Sequence, residues 1–138
     1  MHNCETFCNF AADFEKASIP NVKMNRRILT FGGYFEAFYG ALDQRVQKKI
    51  DYALELLKTE KRLSVKFVKL IRDGVYELRV EIDGNIYRVF FIFDNGNIVV
   101  LFNGFQKKSQ KTPQNEIEKA LKIKEAYYEF IRRKRDAE

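Results

Sequence analysis

The chain has 138 residues, of which 46% are hydrophobic and 32% charged, which is enough apolar material for one compact domain with a single core. No apolar run approaches the ~20 residues of a membrane-spanning helix, and the N-terminus lacks the basic-then-apolar pattern of a secretory signal, so we expect a cytoplasmic protein with no membrane partner. Lysines and arginines total 25 against 19 acidic residues, a net charge of +6 that favours a polyanionic partner.

Residues 1–23 look detached from the rest of the chain. They show no helical or strand periodicity, and Pro20 marks their end. Their net charge is −1, so residues 24–138 carry +7. We predict that 1–23 is an N-terminal extension, upstream of a natural start at Met24, and that 24–138 forms the domain. The alternative is a short N-terminal helix that caps the domain.

Cys4 and Cys8 lie close together in this extension, and His2 is the only other metal-ligand candidate near them. Three such residues are too few for a structural zinc site. We therefore expect no metal and no cofactor, and reduced thiols in a cytosolic protein.

The first half of the domain predicts a strand followed by a helical hairpin. The run 26–31 indicates a short strand, which Gly32-Gly33 ends. An apolar stripe at i, i+3, i+4 and i+7 then predicts a helix over Tyr34–Leu42. Asp43 can cap a second amphipathic helix over Gln44–Lys58.

The second half predicts an antiparallel meander and a last helix. After a polar, basic loop at 59–66, period-two patterns predict strands over Val75–Ile82, Ile86–Phe93 and Ile98–Phe105, joined at Asp83-Gly84 and Asn95-Gly96. A polar, basic segment, Gln106–Pro113, precedes a helix over Gln114–Arg135. The fold class is α+β: an antiparallel sheet of a short N-terminal strand plus a three-strand meander, with a helical hairpin on one face and a C-terminal helix.

Hairpin geometry predicts which side chains are neighbours. If Asp83-Gly84 are the two turn residues, Arg79 lies directly opposite Arg88 on the next strand. The same reasoning at Asn95-Gly96 places Arg88 opposite Asn103.

Strand alternation then separates two faces. The first is almost wholly apolar and should pack against the helices: Tyr76, Leu78, Val80, Tyr87, Val89, Phe91, Phe93, Ile98, Val100 and Phe102. The second should be the open face: Glu77, Arg79, Glu81, Arg88 and Asn103, with Phe90, Ile92 and Leu101 beside them.

The opposed arginines have two interpretations. Like charges in directly opposite positions destabilise a sheet by a few tenths of a kcal/mol, whereas two guanidinium groups can clamp one phosphodiester. The other interpretation is a surface salt-bridge ladder, in which Glu77 and Glu81 neutralise Arg79 and Arg88. Register alone leaves both open.

Three segments resemble, as a set, the RelE/ParE toxin superfamily of type II toxin–antitoxin systems. They are YELRV at 76–80, YRVFF at 87–91 and VLFNGFQKKSQKTP at 100–113, followed by EIEKA at 116–120. The likeness covers about residues 24–131 and is closest to the HigB-like, phage-derived branch. It implies a RelE-like toxin that cleaves mRNA in the ribosomal A site as a metal-independent endoribonuclease, an mRNA interferase that inhibits translation. A cognate antitoxin would hold it inactive.

The resemblance also carries over particular residues. The YELR arginine is Arg79 and the YR arginine is Arg88, and both should line the catalytic face. The basic segment after the last strand supplies Lys107, Lys108 and Lys111. RelE itself has lysines on the strand where this chain has Glu77 and Arg79, so the identity of its proton acceptor does not transfer.

RNA can be cut by its own 2′-OH, which requires a base, stabilisation of a dianionic phosphorane and an acid for the leaving oxygen. The only histidine, His2, lies outside the predicted domain, which disfavours a paired-histidine mechanism. Glu77 is the candidate base, Arg79 and Arg88 the candidate phosphorane stabilisers, and Lys108 the candidate acid or phosphate ligand. Further RNA-binding candidates are Lys107, Lys111, Asn103, Arg72 and Lys69.

Two other functions fit the same pattern. A ParE-like toxin would share the fold and inhibit DNA gyrase by protein contact, without needing the arginines for chemistry. A non-catalytic RNA- or ribosome-binding module would bind ribosomes and leave transcripts whole.

Overall fold

The structure, a computed structural model, describes residues 26–107 and 113–137. The predicted extension 1–23, the proposed start at Met24 and the side chains of Lys107, Lys108 and Lys111 lie outside this description. The described elements, in chain order, are β1 (Arg27–Thr30), α1 (Tyr34–Gly40), α2 (Gln44–Thr59), β2 (Val68–Arg72), β3 (Val75–Ile82), β4 (Asn85–Asp94), β5 (Ile98–Lys107) and α3 (Gln114–Ala137). No helix within the described ranges is both long and apolar enough to cross a membrane.

The α+β prediction is confirmed, although the sheet is larger than expected. Its five strands run in the order β1-β5-β4-β3-β2, and β1 pairs with β5 in parallel. The prediction missed β2 because only Val68 in it is buried, which leaves little alternation to detect. It also missed the parallel pair, because no hairpin joins β1 to β5 and a distant pairing leaves no local pattern.

Both predicted helices of the hairpin are confirmed, with α2 properly capped. The Asp43 carboxylate accepts a hydrogen bond from the backbone N–H of Val46 at 3.0 Å, which satisfies one of the N–H groups left over at a helix start. The apolar stripe of α2, led by Ile50, Leu54 and Leu57, is fully buried.

The sheet packs helices on both faces. On the first face, α1 and α2 cover a cluster that includes Leu78, Val80, Val89, Phe91, Val99 and Leu101. On the second face, Ala120, Ile123 and Tyr127 of α3 cover Val75, Phe90, Ile92, Val100 and Phe102. The expectation of an open second face is therefore wrong for the part that α3 covers.

The turn at Asn95-Gly96 differs from the prediction by one residue. Asp94 lies opposite Ile98, so the loop has three residues and not two. A one-residue slip moves every side chain of a strand to the other face. Ile98, Val100 and Phe102 therefore belong to the α3 side, whereas Leu101 belongs to the α1–α2 side, the reverse of the expected assignment.

A second irregularity lies further along the same pair of strands. Val89 lies opposite Gly104 while Phe91 lies opposite Leu101, so β5 has one extra residue there, a β-bulge. Arg88 consequently pairs with Phe105 and not with Asn103 as predicted. The bulge returns the Asn103 side chain to the α3 side of the sheet.

Helix α3 crosses only part of its face. Three hydrogen bonds mark its course: Asn103–Glu116 at 3.2 Å near its start, then Lys124–Asp73 and Tyr127–Asp94, each 2.5 Å, toward the opposite end of the sheet. Its N-terminus therefore lies toward the β3–β4 hairpin, the end of the sheet that carries Arg79 and Arg88.

Candidate functional site

The predicted pairing of Arg79 with Arg88 across β3 and β4 is confirmed. It depends on the two-residue turn at Asp83 and Gly84, whose φ angles of 51° and 79° are both positive. Positive φ at both positions is the property of a type I′ turn, and it fixes the register of the two strands that the turn joins.

Each arginine has its own carboxylate, as in the salt-bridge interpretation. Arg88 Nη1 donates to Glu77 Oε1, and the two side chains are only 9% and 1% exposed. Arg79 Nη2 donates to Glu81 Oε2 at 2.9 Å, with exposures of 37% and 53%. The repulsion between the guanidinium groups is thus offset by one buried ion pair and one exposed ion pair.

Two buried polar atoms near this pair have no hydrogen-bond partner in the described part of the chain. They are Arg88 Nε, a donor, and Asn103 Oδ1, an acceptor. The Asn103 amide is oriented by Glu116, because its Nδ2 donates to the Glu116 carbonyl and carboxylate oxygens at 3.4 and 3.2 Å. A buried polar group without a partner costs about 1–3 kcal/mol, and Glu36 Oε1 on α1 and Glu55 Oε1 on α2 are two further atoms of this kind.

Both atoms are closed off by the surrounding protein, so a ligand outside the chain would reach them only after neighbouring side chains moved. Within the described ranges, no group of three or more histidine, cysteine, aspartate or glutamate side chains is placed to hold a metal ion.

The remaining predicted residues divide between the two ends of the sheet. Exposed Lys69 lies opposite Glu77 on β2, so it shares the arginine face. Arg72 ends β2 at the other end of the sheet, where its Nε lies 3.5 Å from Asp73 Oδ2. Lys107 ends β5 opposite Ile86.

Sequence reasoning missed the part that α3 plays at this site. Glu116 lies in the first turn of α3, where an acidic side chain is favoured by the positive end of the helix dipole. The same residue holds Asn103 by side chain and backbone. In the sequence, the position of Glu116 as the third residue of the predicted helix indicated only a helix start. Its hydrogen bond with Asn103 could not be predicted, because it depends on the bulge in β5.

The far end of α3 is held by a buried tyrosine. Tyr127 is 1% exposed, and its hydroxyl donates a hydrogen bond to Asp94 Oδ2 at 2.5 Å. Burial, and secondarily this hydrogen bond, raise the pKa of Tyr127 well above its ordinary value. The hydroxyl therefore stays protonated and anchors the helix that closes one side of the site.

The chain matches a known protein family. A family model described as "Phage derived protein Gp49-like (DUF891)" matches residues 37–125, from within α1 to within α3, and so includes the whole arginine face. No curated protein matches the chain.

Proposed function

The chain belongs to the Gp49-like family of phage-derived proteins, a family related to RelE-like toxins, and from that premise we propose that it is the toxin of a type II toxin–antitoxin system. In this proposal it is a HigB-like mRNA interferase, an endoribonuclease that cleaves mRNA on the ribosome. Its partners are mRNA, the ribosome and a cognate antitoxin, and it uses no metal.

The observation that carries the proposal is the pair of arginines that lie opposite each other on one face of the sheet, with exposed Lys69 on the same face. A salt-bridge ladder alone accounts for the contacts of Arg79 and Arg88 with their carboxylates. It does not account for two cations placed directly opposite each other, an arrangement that weakens a sheet. The phosphates of RNA bound at this face would neutralise this positive charge, and Arg79, 37% exposed, is the guanidinium open to them.

The chemistry proceeds by in-line attack of the 2′-oxygen on the adjacent phosphorus. The 2′-oxygen loses its proton to a base, the bond from phosphorus to the 5′-oxygen breaks, and that oxygen takes a proton from an acid. The products are a 2′,3′-cyclic phosphate and a 5′-hydroxyl. Arg79 and Arg88 stabilise the charge that develops on the phosphorane oxygens, which is the kind of interaction that contributes most to such reactions.

The two carboxylates on this face have different roles in the proposal. Glu77 is 1% exposed and bonded to Arg88, so it positions the guanidinium and does not reach the solvent side of the face. Glu81 is 53% exposed and bonded to Arg79, so we assign it the proton-accepting role first considered for Glu77. Lys108 remains the candidate acid.

Transcript mapping after induced expression tests this proposal. We expect codon-spaced cuts in a reporter mRNA with wild type, and none with Arg79→Ala or Arg88→Ala. Arg79→Ala is measured beside Arg88→Ala because it breaks only the exposed ion pair and should fold normally. Arg72→Ala is the matched control, since the structure separates this exposed arginine, an RNA-binding candidate on sequence grounds, from the arginine face and places it at the other end of the sheet.

The alternatives give other outcomes. Growth arrest in wild type and both arginine variants, with intact transcripts throughout, would contradict the nuclease and indicate a ParE-like inhibitor of gyrase. Ribosome binding with neither arrest nor cuts would indicate a non-catalytic module.

A further inference from the structure

A groove outside the arginine face has no role in the proposed chemistry. It has a volume of about 430 Å³ and lies between Tyr34, the first residue of α1, and the N-terminal half of α3. The helix side is lined by Asn115, Lys119, Lys122 and Ile123, among others. This volume falls within the range of about 300–1,000 Å³ that small-molecule sites occupy.

Tyr34 is held in this groove in a defined orientation. Its side chain is 39% exposed, one of the few large hydrophobic side chains exposed on the described surface. Gly32, with φ of +80°, lies against the ring so closely that a β-carbon on it would be 2.5 Å from Tyr34 Cε2. Only glycine combines this φ with such an approach. The backbone thus supports the ring from one side, and the ring also lines the groove, where the Lys119 ammonium lies over it.

The charges around the ring suit an anionic aromatic ligand. Lys119 Nζ lies 5.6 Å from the centre of the Tyr34 ring, and Lys122 lines the same wall. Glu118 is the one acidic side chain among the described lining residues, so the lining carries a net positive charge. An exposed aromatic ring flanked by lysines is the combination that binds a base by stacking and its phosphate by charge.

The groove and the arginine face share the start of one helix. Asn115 and Lys119 line the groove, and Glu116 between them holds Asn103 on the other side. A single strand that contacts both the arginine face and the groove would therefore pass the N-terminus of α3. We propose that the groove binds a neighbouring nucleotide of the same single-stranded RNA, with its base stacked on Tyr34 and its phosphate near Lys122; this inference rests on the proposed function.

Fluorescence anisotropy with a short, labelled 2′-O-methyl oligouridylate, which cannot be cleaved, measures this binding on the full chain. We expect Tyr34→Ala to weaken affinity by about 5- to 150-fold, the usual effect of removing one stacking platform. Tyr34→Phe should retain affinity, because stacking uses the ring and not the hydroxyl. Tyr128→Ala is the matched control, since Tyr128 is 42% exposed and contacts Tyr127 on a side of α3 that does not line the groove. We expect Lys122→Ala to lower the slope of log affinity against log salt by about 0.7, the value for one phosphate contact on a single strand.

Equal affinity of Tyr34→Ala and Tyr128→Ala, with thermal melts showing both variants folded, overturns the inference. Arg79→Ala in the same assay separates this failure from that of the proposed function. Weakened binding by Arg79→Ala with none by Tyr34→Ala refutes the groove alone and leaves the arginine site standing. Unchanged affinity in both refutes the groove and the proposed RNA site together.

Discussion

The buried ion pair between Glu77 and Arg88 allows the sharpest test of the site's architecture. Replacing Glu77 by Gln keeps the shape of the side chain and removes its charge, which leaves a guanidinium that is 9% exposed without its carboxylate. Breaking a buried pair by removing one partner costs about 3–5 kcal/mol, a large part of the ~5–15 kcal/mol that stabilises a typical domain. The exposed pair of Arg79 and Glu81 should contribute below about 1 kcal/mol.

Urea unfolding followed by circular dichroism measures both effects, since the chain has no tryptophan. We expect Glu77→Gln to lower the free energy of unfolding by about 3–5 kcal/mol and Glu81→Gln, the matched control, by less than about 1 kcal/mol. A loss below about 1 kcal/mol in Glu77→Gln would refute the buried pair.

Three further predictions concern catalysis, capping and pH. Glu81→Gln should slow RNA cleavage by about 10²–10⁴-fold in single-turnover assays while leaving RNA affinity within a few-fold, as expected of a proton acceptor; an unchanged rate would remove it from that role. Asp43→Ala should lower the free energy of unfolding by about 1 kcal/mol, because it removes the N-cap of α2. Asp43→Asn should keep most of the wild-type stability, because an asparagine side chain can also cap the helix. Burial and the contact with Asp94 raise the pKa of Tyr127 in the folded state. The stability that this group contributes is therefore present below the ordinary tyrosine pKa and is lost as the pH rises toward the pKa of the folded state. Thermal melts of Tyr127→Phe and wild type should converge at alkaline pH.

Local chemistry determined much of this protein from its sequence. The apolar stripes of α1 and α2, the cap at Asp43 and the turn at Asp83-Gly84 each depend on residues a few positions apart, and each was predicted correctly. The pairing of Arg79 with Arg88 resulted from that turn, because a two-residue turn leaves one register for its strands.

Tertiary structure decided which of these residues form a site. The three-residue loop after Asp94 and the bulge at Asn103 each moved side chains across the sheet, and no local pattern distinguishes such a loop from a two-residue turn. The burial of Glu77 could not be predicted either, because strand alternation shows on which face a side chain lies but not whether another part of the chain packs over it. That burial depends on chain segments distant in sequence, which pack together only when strands far apart in the chain have already met. Sequence therefore determined the pairing of the arginines, whereas the packing of distant elements determined that one is buried and the other exposed.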